Sequence, residues 1–173
     1  MKWLCLVAAA GLSGPLAAHP HSSVDQQVHL AVGTDHAEVT IRIIPAATEG
    51  DLTREVLDLD QDGELDSAEA RVFQDTVLAA LEISWNTQPI TLVDPQINAA
   101  PLERLEAGQG QIEITATLSV TAAMETVHLT MTYDGLGANW LIQPYYFEDL
   151  REGPLPRILR FEDSNRIELR STN

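Results

Sequence analysis

The chain of 173 residues is long enough for one domain with a real core and too short for two comfortable ones. Hydrophobic residues make up 45% and charged residues 21%, a balance that excludes intrinsic disorder. The formal net charge of -16 disfavours nucleic acid and anionic membrane surfaces as partners and favours cations.

The first segment, "MKWLCLVAAAGLSGPLAA", has one Lys, a short apolar run and a small-residue end. It is predicted to be a secretory signal peptide covering residues 1–18, and its apolar run is too short to span a bilayer. Cleavage after Ala18 would leave a single domain at 19–173, periplasmic or secreted, with no transmembrane segment. It would also remove Cys5, the only cysteine, so the mature chain could form no disulfide in a compartment that permits them. Loss of Lys2 would take the formal charge to -17.

From Val24 to Val32, and again from Ala37 to Ile43, apolar and polar residues alternate about the turn "GTD" at Gly33–Asp35. This predicts a hairpin with one buried face. The period then changes. A short helix fits Thr48 to Leu57, with Thr48 and Asp51 spaced as a capping box and Gly50 as a weak point. A second helix fits Ser67 to about Leu81, with Val72, Phe73, Val77, Ala80 and Leu81 as its apolar face. Strands resume at "LEISWNTQPITLV", a looser stretch with two prolines runs from Asp94 to Gly110, and "QIEITATLSV" and "ETVHLTMTY" alternate again. The aromatic-rich "NWLIQPYYF" at 139–147 is expected to plug one end of the core, and the last segment reads as a hairpin turning at 163–165. The expected fold is mainly β, an antiparallel sandwich-like domain with one helix–loop–helix inserted at about 48–81.

Between the two helices lies "DLDQDGELDSAE", residues 58–69. Carboxylates fall at loop positions 1, 3, 5, 9 and 12 (Asp58, Asp60, Asp62, Asp66, Glu69), Gly63 is at 6, and Glu64 at 7 would contribute its backbone carbonyl. Every position fits an EF-hand calcium loop. Calcium takes about seven oxygens, which a short loop converges only if position 6 turns sharply; Gly accepts the positive φ required. An acidic solvated loop is the plainer reading, but it does not require a match at every position. Six carboxylates in twelve residues repel one another without a cation. A single loop, with only Met124 and Met131 in the mature chain, fits a structural staple better than a calcium sensor.

A mature terminus of His19-Pro20-His21 would offer an amine and two imidazoles to Cu(II) or Ni(II), although Pro20 blocks the square-planar motif that needs its amide. A polar terminus of no function is the alternative. His29 and His128 both fall on polar strand faces and would approach each other only if their strands pair. No Ser/His/Asp set, phosphate loop or HExxH zinc pattern is present, and no enzymatic activity is expected.

The signal-like start, the HPH terminus, the strand pair, the EF-hand loop and the turn "SWNTQPI" together resemble a loosely defined group of bacterial periplasmic EF-hand/HPH proteins. Some of these occur beside nickel/cobalt or HupE/UreJ-type metal permeases. The resemblance covers the chain to about Val93, and only its EF-hand loop is a specific motif. It implies an exported accessory protein near metal handling, with a metal permease as partner. Asp58, Asp60, Asp62, Glu64, Asp66 and Glu69 would hold calcium, and His19 and His21 would be ligands for a transition metal. A calcium-stabilised interaction or adhesion module, and a copper-dependent oxidative enzyme using His19 and His128, are the competing readings.

Overall fold

The computed structural model describes residues 23–120, 122–151, 153–161 and 165–172. The predicted signal peptide, His19 and His21 lie outside the described residues.

The first alternating segments form β1 (Asp25–Val32) and β2 (Ala37–Ile44), paired antiparallel with Val28 opposite Ile41. Val28, Leu30, Val32, Val39, Ile41 and Ile43 are all buried on one face, as the period of two dictates. Gln26 shares that buried parity, and its Nε2 donates to the carbonyls of Gly137 and Asn139, at 2.8 and 3.2 Å.

The remaining strands are β3 (Leu81–Trp85), β4 (Gln88–Pro89), β5 (Leu92–Ala99), β6 (Ile112–Leu118), β7 (Thr126–Met131), β8 (Leu141–Tyr146), β9 (Arg157–Arg160) and β10 (Arg166–Arg170). They build two sheets, ordered β5-β6-β2-β1-β8 and β4-β3-β7-β10-β9. Among the described residues every pairing is antiparallel except β1 with β8. The domain is therefore mainly β. Leu30, Ile41 and Ile114 from the first sheet and Leu129, Met131 and Leu169 from the second belong to one continuous core. The expected last hairpin is present as β9 and β10; residues 162–164 of its turn lie outside the described residues.

Among the strands, two stretches differ from expectation. The region from Asp94 to Gly110, expected to be loose, contains most of β5 and a short helix α3 (Leu102–Glu106). Pro95 is tolerated because β5 is an edge strand and the register shifts between Val93 and Gln96, where Asp94 adopts φ 50°. The aromatic stretch is β8, an edge strand parallel to β1, rather than a plug. Of its aromatic residues only Trp140, just before the strand, is buried in the core, beside Ile142: it is 8% exposed and its Nε1 donates to the Tyr133 carbonyl at 2.7 Å. Tyr145 stays exposed and packs against His29, with ring centroids 5.1 Å apart.

Between β2 and β3 the chain forms a 3-10 turn (Ala47–Glu49), helix α1 (Gly50–Leu57) and helix α2 (Ser67–Ala79). The expected Thr48–Asp51 capping box is absent; Glu49 is the N-cap of α1, and no side chain caps the helix. Gly50 has a tertiary reason: a Cβ there would stand 2.9 Å from the Glu106 carbonyl of α3, too close for any side chain. α2 stops at Ala79, and Leu81 already belongs to β3. Its buried face is Glu69, Phe73, Gln74 and Val77, whereas Val72, assigned above to the apolar face, is 51% exposed.

Candidate metal centre

Asp58 closes the C-terminal end of α1, its own N–H donating to Arg54 O at 2.8 Å. The side chain is then drawn inward, to 3% exposed, where Oδ1 accepts from Asp62 N and Oδ2 from Gly63 N, both at 3.0 Å. Gly63 adopts φ 88°, the left-handed turn that reverses the loop. At the other end Asp66 and Glu69 form a reciprocal capping box on α2: Asp66 Oδ1 accepts from Ala68 N and Glu69 N, and Glu69 Oε2 accepts from Asp66 N at 3.0 Å. Glu69 Oε1 reaches back to Leu59 N at 2.6 Å, so this one residue ties the loop's exit to its entrance.

One carboxylate oxygen from each of Asp58, Asp60 and Glu69 lies within 4.8 Å of the others, a group able to hold a metal ion. Two of the three are buried acids. Asp62 and Asp66 are not in that group; their carboxylates accept from Glu64 N at 2.8 Å and from the α2 N-terminus. Glu64 sits exposed between them. The donor set is oxygen only, which suits a hard cation.

The described histidines do not converge. His29 lies in β1 and His128 in β7, strands of different sheets, so the approach that strand pairing would have allowed does not occur. The His29 Nε2 is 2.8 Å from Gln27 Oε1, and burial, followed by the nearby Arg42 charge, lowers its pKa. His128 Nδ1 stands 3.6 Å from Glu168 Oε2. Glu168 is held below the usual carboxylate range, first by its hydrogen bond from Arg170, and burial opposes that shift.

A second mixed group was not anticipated. One side-chain atom from each of Asp35, His36 and Asp149 lies within 4.8 Å of the others, where the β1–β2 turn meets helix α4 (Glu148–Arg151). Asp149 Oδ2 accepts from Thr34 N at 2.8 Å and from Thr34 Oγ1, and these bonds hold its carboxyl below the usual range. Asp149 is too remote in sequence from Asp35 and His36 for any spacing rule to join them.

No protein-family model matches the chain, and no curated protein matches it. Among the described residues, no helix is long and apolar enough to cross a membrane.

Proposed function

We propose that residues 58–69 form an EF-hand calcium site, inserted between the second and third strands of an exported, sandwich-like β-domain, where calcium acts mainly as a structural staple. The observation that carries this reading is the convergence of Asp58, Asp60 and Glu69 in a loop whose spacing fits the calcium pattern throughout. Asp62, the Glu64 carbonyl and Asp66 complete the ligand set by the same spacing. The residues fit a hard divalent ion: all donors are oxygens, the turn is made at a glycine, and Glu69 is positioned by bonds from Leu59 and Asp66. The loop joins two helices that meet the core through Leu57, Phe73 and Val77, so fixing the loop fixes both helices against the sheets.

Calcium titration of the purified chain by calorimetry should find one site, with a dissociation constant on the order of 10⁻⁴–10⁻³ M for an exported module. No heat at about 10⁻² M calcium would overturn the reading.

The biological role is proposed as an accessory or binding protein near metal transport, with a metal permease as partner and His19 and His21 as ligands for Cu²⁺ or Ni²⁺. No enzymatic activity is proposed. Mass spectrometry of the exported protein should find His19 at the amino terminus. A terminus that keeps the signal segment, or that is acetylated, would remove the histidine site, because the free amine is one of its ligands.

A further inference from the structure

A cleft of about 1110 Å³ opens between α2 and β5, beside the acidic loop. Ser67, Ala70, Arg71 and Gln74 line it from the helix, three to four residues apart and therefore on one face. On the other side the lining residues are consecutive, Pro95 through Ala99. Alternate residues would line a cleft against a sheet face; a consecutive run means that it follows the strand's edge. β5 is the last strand of its sheet, so among the described residues the backbone on that side has no strand partner.

The other sheet edges differ. β4 has only two residues, β9 carries Arg157 and Arg160, whose charge repels a basic segment, and on β8 the Ile142 carbonyl already accepts from Arg160 Nη1 at 2.7 Å. Within β5, Pro95 and the irregular register at Asp94 blunt the first half, which leaves Gln96–Ala99 as the regular stretch without a second strand partner, facing α2 across the cleft. Gln74 is 6% exposed, lines the cleft, and has no hydrogen-bond partner among the described residues. Its amide atoms are not among the fully buried ones, so they open onto the cleft, where a segment entering it would take the place of water as their partner. Glu64, Asp66, Asp75 and Glu103 set four carboxylates around the cleft against the single guanidinium of Arg71.

We propose that this cleft receives an extended segment of a partner protein bearing Lys or Arg side chains, which adds a strand to β5 at Gln96–Ala99 and hydrogen-bonds to Gln74. Strand addition supplies main-chain hydrogen bonds, and the acidic rim selects the charge. A second copy of this chain suits the cleft poorly, since both copies carry -16. The proposal goes beyond the calcium reading and does not require it.

The test uses the full mature chain in excess calcium and a fluorescein-labelled peptide of about eight residues alternating Lys and Val, long enough to span the strand. Anisotropy should show saturable binding, and amide exchange at Gln96–Ala99 should slow when the peptide is bound. N-methylation of alternate peptide nitrogens, which removes donors but no charge, should weaken binding on the order of tenfold. Ala70→Trp, which fills the cleft, should weaken it by a similar factor of about ten, and Gln74→Leu by roughly threefold to tenfold. The N-methylated peptide keeps the test decisive if Ala70→Trp fails to fold. No binding, or binding indifferent to N-methylation, would overturn the proposal. Self-association that Ala70→Trp abolishes would assign the cleft to a second copy and overturn it equally. The melting response to calcium is read separately, so failure here leaves the calcium reading standing.

Discussion

Calcium at about tenfold above its dissociation constant should raise the melting temperature of this protein by about 3–6 °C, with little change in strand content. Linkage gives about 1.4 kcal/mol at that concentration, and each kcal/mol moves the midpoint of a domain this size by about 2–4 °C. The expected sign follows from the loop: six carboxylates crowd residues 58–69, and two of them, Asp58 and Glu69, are buried. A cation among them relieves a repulsion that the folded chain otherwise carries and the unfolded chain largely escapes. Glu69→Gln removes the charge from the closing residue while keeping one oxygen to accept from the loop's backbone, and it should abolish most of the shift. No new dye-binding apolar surface should appear, because Phe73 and Val77 already pack in the core. A wild-type midpoint that ignores calcium, or an equal shift in Glu69→Gln, would sink the staple.

The second large effect separates two neighbours on α2. Phe73 is 4% exposed and packs edge-on to Tyr133, ring centroids 5.8 Å apart, while Val72 is 51% exposed. Phe73→Ala should therefore cost about 3–5 kcal/mol in urea unfolding, the transfer term plus the cavity left beneath the helix. Val72→Ala should stay within about 0.5 kcal/mol of wild type. The opposite ranking would mean that α2 presents a different face to the sheets. Comparable losses at both sites would mean that the helix is buried all round.

The alternation of Val28, Leu30 and Val32 with polar neighbours, and the matching run to Ile43, determined the first hairpin and its buried face in the sequence itself. The same period was legible in β6 and β7, because side chains of a half-buried strand point alternately to core and solvent. The acidic loop was legible for a different reason: its carboxylates and its helix cap lie within twelve consecutive residues, so local spacing carries the pattern. Local spacing could not show what depends on partners far along the chain. Pro95 reads as a strand breaker until the fold places it on an edge, and Gly50 reads as a helix defect until α3 approaches within 2.9 Å of its missing side chain. Val72 and Phe73 are both apolar and adjacent, and only the rotation of α2 against the sheets decides which one is buried. The parallel pairing of β8 with β1, and with it the meeting of Asp149 with Asp35 and His36, joins segments more than half the chain apart. The cleft beside β5 has the same origin: an edge and a helix face become a site only where tertiary packing sets them side by side.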